Sequence, residues 1–132
     1  MGRSKAATTA QVLQFDDLFH IGCIACRLAG VGWVPPEQDH RNKCDLAGMK
    51  RTDGGHDDTL PLCQWHHRGI RFEGYGSEAA HIRVFGPSKH LHKKRFIERF
   101  GTIAELYVIR DDLLERYRAT TCIRPQSRRE PA

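Results

Sequence analysis

Apolar side chains recur at helical spacing near the start of the chain. This period predicts a short amphipathic helix from about Ala10 to Phe19, with Thr9 as its N-cap. The apolar positions are Val12, Phe15 and Leu18. Such a stripe is typical of a helix that packs on a core, so we interpret this element as structural.

The C-terminal third of the chain shows the same period. A helix is expected between Ser88 and Gly101, which supply start and stop signals. Thr102 and Glu105 form a T-x-x-E capping box at the start of a last helix. Its apolar positions are Ile103, Leu106, Tyr107, Leu113, Leu114 and Tyr117. We interpret both helices as core-packing elements.

The middle of the chain predicts two short strands joined by a long loop. Residues 37–40 form the first candidate, although their composition is a poor strand signal, and residues 59–63 the second, with two leucines on one face. Residues 42–55 are polar and contain glycine, which suits a hairpin loop. Pro61 implies an edge position for the second strand. Residues 72–87 are expected to be irregular because of their glycines and Pro87.

Length and composition indicate one small domain. The 132 residues are 39% hydrophobic and 28% charged, and a core of this size gains from a structural metal. We expect a flexible N-terminus over residues 1–9, the domain over 10–119 and a basic disordered tail over 120–132. The net charge of +5 and pI of about 9.1 are compatible with a polyanionic partner but are weak signals alone.

The cysteine count points to metal rather than to disulfides. The five cysteines are an odd number, and the polar N-terminal residues form no secretory leader. Without an apolar run of membrane-spanning length, the expected location is the cytoplasm, with no membrane partner. In a reducing compartment, clustered cysteines bind metal more often than they form disulfides.

Two cysteine-based pairs share one spacing. Cys23-x-x-Cys26 and Cys63-x-x-His66 together supply four ligands that suit tetrahedral zinc. Four protein ligands fill the coordination shell, which predicts a structural rather than a catalytic ion. A redox role for Cys23 and Cys26 is the alternative, but such a pair needs no further ligands. Cys44 and Cys122 fall outside the pattern, and Cys44 is the substitute ligand should one of the four be wrong.

A second group of candidates lies between and beside these pairs. Zinc binding would draw Asp39 and His40 towards His67, because the two pairs close the chain between them. Asp39 and His67 are candidate ligands of a second divalent ion, and His40 is a candidate general base. Taken singly, each has a plainer interpretation as a surface histidine or a turn-capping carboxylate.

These residues resemble a known family. The sequence carries Gly22-Cys23-Ile24-Ala25-Cys26-Arg27, then Asp39-His40 and His56, then the string Leu60-Pro61-Leu62-Cys63-Gln64-Trp65-His66-His67-Arg68-Gly69, and last Gly86-Pro87-Ser88. Over about residues 21–117 the chain resembles HNH (ββα-metal) endonucleases, and most of all the recombination enhancement function (Ref) family of RecA-dependent nucleases. The resemblance implies an α+β fold with a small zinc-stabilised ββα-metal core and flanking helices.

The resemblance also implies residue roles. His40 would be the general base, Asp39 and His67 would bind the catalytic ion, and the two pairs would hold structural zinc. His56 would either ligate the ion or pin the hairpin loop to the helix. His81, His90 and His92 are weaker candidates for a third ligand, each with a plainer interpretation as a surface histidine. Close relatives usually have His where Asp39 stands, and the harder carboxylate favours Mg²⁺ or Mn²⁺ over Zn²⁺ as the catalytic ion.

The expected function is hydrolysis of DNA phosphodiester bonds, with RecA implied as a partner by the resemblance alone. Basic residues provide candidate phosphate contacts of a non-specific kind. They are Arg41, Lys43, Lys50, Arg51, Lys93 and Lys94. The alternative is a non-catalytic zinc module that binds nucleic acid or protein. The Asp39-His40 pair followed by His67 favours the enzyme, because a binding module has no need of it.

Overall fold

Helices dominate the fold and surround one small sheet. The computed structural model describes residues 9–40 and 59–129, with side chains up to residue 121. The elements in chain order are α1 (Thr9–Ile21), α2 (Ile24–Leu28), β1 (Glu37–His40), β2 (Thr59–Leu62), α3 (Gln64–Arg68), α4 (Glu78–Phe85), α5 (Lys93–Phe100) and α6 (Ile103–Arg129). The predicted α+β class is confirmed.

Strands β1 and β2 pair antiparallel. Glu37 lies opposite Leu62, and His40 lies opposite Thr59. Pro61 faces Gln38 and is tolerated because each strand of a two-stranded sheet has an outer edge. Every residue of β2 is buried, since the strand packs against α1, α2 and α6 as well as β1.

Helix α3 follows β2 directly and contacts both strands. The side chain of Trp65 on α3 is fully buried, and its Nε1 donates a 2.8 Å hydrogen bond to the carbonyl of Gly86. Phe96, Phe100 and Leu106 pack with Trp65 in the main core. The same core contains three cysteines, Cys23, Cys26 and Cys63. The hairpin and α3 are thereby fixed against the helical part of the molecule.

The C-terminal helix α6 begins as the capping box predicts. The backbone N–H of Thr102 donates to Glu105 Oε1 over 2.8 Å, and the N–H of Glu105 donates to Thr102 Oγ1 over 3.1 Å. The helical backbone continues to Arg129, beyond the boundary expected at residue 119. Extending an existing helix needs no new nucleus, so helical backbone can continue past the boundary expected from the sequence.

Two sequence-based expectations about helices are wrong. Residues 72–87 are not irregular throughout, because α4 starts at the N-cap Ser77, whose hydroxyl accepts from the N–H of Ala80 over 3.2 Å. Helix α5 starts at Lys93 rather than just after Ser88. The intervening residues form a turn in which the N–H of His92 donates to the carbonyl of Ser88 over 2.8 Å. Lys89 is buried in this turn, whereas His90 and Leu91 are exposed.

Across residues 9–40 and 59–129, no helix combines the length and apolarity needed to cross a bilayer.

Candidate functional site

Four side chains from two separate parts of the chain meet in the core. Cys23 precedes α2 as its N-cap and Cys63 precedes α3 in the same way, so Cys26 and His66 each lie one turn further on. We call Cys23, Cys26, Cys63 and His66 the metal cluster; all four are buried, and their ligand atoms lie within 4.8 Å of one another. Among the residues that the structure describes, no other group of three or more potential ligands converges in this way.

The distances inside the metal cluster suit a tetrahedral ion. Nδ1 of His66 lies 3.4 Å from Cys23 Sγ and 3.2 Å from Cys63 Sγ, and Cys26 Sγ lies 3.7 Å from Cys63 Sγ. Zinc bond lengths place sulfur–sulfur edges of a tetrahedron at about 3.8 Å and nitrogen–sulfur edges at about 3.5 Å. The donor set and its spacing therefore fit zinc.

Burial makes these thiols hard to ionise unless a cation offsets their charge. Burial raises the pKa of Cys23 to about 12, and the hydrogen bond to Cys23 raises the pKa of Cys26 above its usual value. Hydrogen bonds from Cys23 and Cys26 lower the pKa of Cys63. Three buried thiolates cannot coexist without compensating charge, and a divalent ion supplies it.

His66 is oriented by a hydrogen bond outside the metal cluster. Its Nε2–H donates to the carbonyl of Phe85 over 2.8 Å, because a carbonyl can only accept. This bond fixes the tautomer and turns Nδ1 towards the three sulfurs. The carbonyl of His66 in turn accepts the backbone N–H of Lys89 over 2.9 Å, so the segment after α4 is attached to α3.

A second polar group lies beside the metal cluster, where β1 faces α3. Asp39 Oδ1 lies 3.4 Å from His67 Nε2, and the other ring nitrogen, Nδ1, lies 2.8 Å from Glu37 Oε1. Glu37 is also held by the guanidinium of Arg68. Asp39 Oδ2 accepts a 2.7 Å hydrogen bond from Lys89 Nζ.

The charges of this group support one another. Burial alone would raise the pKa of Asp39, but the hydrogen bond with His67 and the charge of Lys89 bring that pKa below its usual value. The carboxylates of Asp39 and Glu37 raise the pKa of His67. The hydrogen bond from Arg68 lowers the pKa of Glu37. Asp39 is therefore a buried, ionised carboxylate that faces an imidazole.

His40 lies next to Asp39 but on the other face of β1. Successive side chains of a strand point to opposite sides, and the structure has Asp39 buried at 7% exposure while His40 is exposed. The structure thus brings Asp39 and His67 together and leaves His40 at the solvent-facing end of the strand. His56, Arg41, Lys43, Lys50, Arg51 and Cys44 lie outside the described residues, as does the side chain of Cys122.

Two of the other candidate third ligands, His81 and His92, form hydrogen bonds with residues outside the group around Asp39. His81 is fully buried, accepts the N–H of Phe72 at Nε2 over 2.8 Å and donates from Nδ1 to the carbonyl of Ser77. His92 accepts from the N–H of Ser88 and donates to Glu78. The interpretation of His81 as a surface histidine is wrong, whereas His90 is exposed. Lys94 is exposed on α5, and Lys93 beside it is half-buried.

Sequence reasoning missed Glu37 and Lys89 as members of this group. Glu37 carried a usable signal, because residues two apart in a strand share a face. Lys89 carried none, since its approach to Asp39 depends on the buried segment from Gly86 to Lys89, which follows α4. Its side chain is only 10% exposed, which is unusual for lysine.

The model of the family described as "Recombination enhancement, RecA-dependent nuclease" matches residues 7–115. The match covers most of the chain and includes every residue of the metal cluster and of the polar group around Asp39. The chain belongs to this family, whose description names a nuclease acting in recombination. No curated protein and no solved structure matches the chain.

Proposed function

We propose that this chain is an endonuclease of the HNH type that hydrolyses DNA phosphodiester bonds together with a RecA filament, in the cytoplasm. The observation that carries the proposal is the approach of Asp39 Oδ1 to His67 Nε2, 3.4 Å apart, between a β-hairpin and the helix that follows it. Family membership supports nuclease activity in recombination. The RecA requirement follows from the family description alone.

In this proposal the metal cluster holds structural zinc. All four ligand positions are filled by protein side chains, and none of the four side chains has any exposed surface. Water and DNA therefore have no access to that ion, which excludes it as the site of hydrolysis. Its role is to fix α3 against α2, and with α3 the adjacent His67.

Asp39 and His67 would hold a second divalent ion, Mg²⁺ or Mn²⁺ by preference and Zn²⁺ as an alternative, with His56 as a further candidate ligand. Two ligands of one small octahedral ion lie about 3 Å apart, close to the 3.4 Å between Asp39 Oδ1 and His67 Nε2. A bound ion would offset the negative charge that develops on the scissile phosphate. Glu37, by accepting from His67 Nδ1, orients the imidazole so that Nε2 points to Asp39.

His40 would act as the general base. It is exposed at the end of β1 and adjoins Asp39, so it is open to DNA and water while its neighbour is buried. An imidazole nitrogen can accept a proton from an attacking water. Arg41, Lys43, Lys50 and Arg51 follow in sequence, and Lys93 and Lys94 lie on α5; we assign these six the non-specific phosphate contacts.

The test is cleavage of plasmid and single-stranded DNA by the full-length, zinc-loaded protein. Mg²⁺, Mn²⁺ and Zn²⁺ are compared with and without a RecA filament. His40→Ala should lower the cleavage rate by about 10²–10⁴-fold, the usual contribution of a general base, with zinc content and DNA affinity unchanged. Asp39→Asn should also lose cleavage, with partial rescue at raised Mn²⁺.

His20→Ala is the matched control, because His20 is a half-exposed histidine on α1. It should cut at the parent rate. A His40→Ala protein that cuts as fast as the parent would exclude His40 as the base. A parent that binds DNA but cuts none under any of these conditions would favour a non-catalytic zinc module instead.

A further inference from the structure

Within the described part of the chain, Asp39 forms ion pairs with two basic residues, His67 and Lys89. Lys89 Nζ lies 2.7 Å from Asp39 Oδ2, and the side chains of Lys89 and Asp39 are only 10% and 9% exposed. An exposed ion pair would contribute little, but a pair shielded from water interacts over a lower effective dielectric. The contact is therefore strong enough to influence anything else that binds Asp39.

The position of Lys89 is set by the backbone around the metal cluster. Its N–H bonds to the carbonyl of His66 over 2.9 Å. The same segment is attached to α3 by the carbonyls of Phe85 and Gly86, which accept from His66 and Trp65 over 2.8 Å each. Three hydrogen bonds thus fix the turn that carries Lys89 to the helix that carries His67.

The two oxygens of Asp39 have different neighbours as a result. Oδ2 accepts from Lys89, and Oδ1 faces His67 Nε2. With Oδ2 engaged, the carboxylate cannot rotate to present both oxygens to one ligand. The ammonium also places a positive charge near the point where a divalent ion would bind.

We propose that Lys89 is a positioning residue of the cleavage site, which holds Oδ2 of Asp39 so that Oδ1 alone faces the ion, and which limits the affinity for that ion. The inference rests on the proposed function, since it requires Asp39 to be an ion ligand. It adds Lys89 to the residues of that site and predicts the direction in which its removal changes the affinity for the ion. Removal of Lys89 should strengthen ion binding, whereas loss of a merely structural residue would weaken it or leave it unchanged.

The test measures Mn²⁺ binding to the full-length, zinc-loaded protein without DNA, by the electron paramagnetic resonance signal of free Mn²⁺. Lys89→Met and Lys89→Gln should each bind Mn²⁺ about tenfold more tightly, the order expected when a like charge a few ångströms away is removed. Lys89→Gln is neutral but polar, and its amide nitrogen ends one bond short of the Nζ that contacts Asp39, so it tests the loss of the charge and of the contact even if Lys89→Met fails to fold. Lys89→Arg keeps the charge and should bind Mn²⁺ nearly as the parent does.

Cleavage provides the second measurement. At saturating Mn²⁺ both neutral variants should cut about tenfold more slowly than the parent, because Asp39 is no longer held in one orientation. Tighter ion binding together with slower cleavage is a combination that a general loss of stability would not produce. Arg116→Met, which removes an exposed cation from α6, should leave both quantities unchanged.

The outcomes separate this inference from the proposed function. Asp39→Asn must weaken Mn²⁺ binding. If Asp39→Asn binds Mn²⁺ as tightly as the parent does, the ion site itself is refuted. If Asp39 is required but the neutral Lys89 variants bind Mn²⁺ no more tightly than the parent, the role of Lys89 is refuted and the ion site stands. Parent-like cleavage by those variants would refute the positioning part.

Discussion

At the scale of single residues, the imidazole of His67 is held between two carboxylates of one strand. Glu37 and Asp39 are two positions apart on β1 and both face α3, with Glu37 at Nδ1 and Asp39 at Nε2. The arrangement matches the carboxylate–histidine–metal pattern in which an outer carboxylate orients a ligand and increases its basicity. In the proposed ion site, Glu37 would therefore orient His67 without itself binding the ion.

Glu37→Gln should weaken Mn²⁺ binding and slow cleavage by about 10- to 100-fold, the range usual for loss of an outer-shell partner. The amide keeps the size of the side chain but removes the charge that favours a protonated Nδ1. Mn²⁺ titration of the zinc-loaded protein measures the effect. Glu78→Gln is the control, because Glu78 also pairs with a histidine, His92, on a different part of the surface. Equal Mn²⁺ affinity in the parent and Glu37→Gln would remove Glu37 from the site.

At the scale of elements, local signals predicted most of what builds the site. The bounds of β1 agree with the expectation from residues 37–40, and the capping box of Thr102 and Glu105 is present as predicted. The C-x-x-C and C-x-x-H spacings work because each cysteine precedes a short helix whose first turn returns the second ligand. These features depend on residues that are close in sequence, so they can be predicted from the sequence alone.

The elements that sequence could not predict depend on distant contacts. Helix α4 lies in a glycine-bearing stretch, and its residue His81 is buried against Phe72 and Trp65. The turn from Gly86 to Lys89 is buried through hydrogen bonds to α3, which no periodicity indicates. Tertiary packing overrides weak local preference at both places, and Lys89 is therefore absent from any motif-based list of site residues.

The end of α3 provides a prediction at this scale. Gly69 caps the helix with φ of 72°, and a Cβ there would lie 2.6 Å from Leu91 Cγ. Gly69→Ala should lower the free energy of unfolding by about 2–4 kcal/mol, combining left-handed strain with overpacking. Gly74→Ala is the control, since Gly74 has φ of 90° and no atom within 4 Å of the added Cβ. It should cost only about 1–2 kcal/mol, as measured by urea denaturation.

A similar loss in the two variants would show that Leu91 yields without cost. Because α3 carries both His66 and His67, Gly69→Ala should also weaken Mn²⁺ binding, whereas Gly74→Ala should not. The second measurement distinguishes displacement of the helix from a general loss of stability.

At the scale of the whole molecule, the metal cluster links the hairpin to the short helices α2 and α3, which the two-stranded sheet alone could not hold in place. A two-stranded hairpin is marginal in water, and helices of five residues such as α2 and α3 are too short to form alone. Both short helices are anchored at the metal cluster, and the main core is built around it. The folded state should consequently depend on the ion.

The purified protein should contain at least one tightly held zinc per chain, measured by elemental analysis. Cys63→Ala should lose that zinc together with cooperative thermal unfolding, because the free energy of metal binding contributes directly to folding. Cys44→Ser removes a cysteine outside the metal cluster and should retain both. Zinc loss in Cys44→Ser would instead place Cys44 among the ligands. If the parent protein without zinc unfolds cooperatively at the same temperature as the zinc-loaded protein, the buried thiols pack as neutral groups. The prediction that the fold depends on the metal would then be wrong.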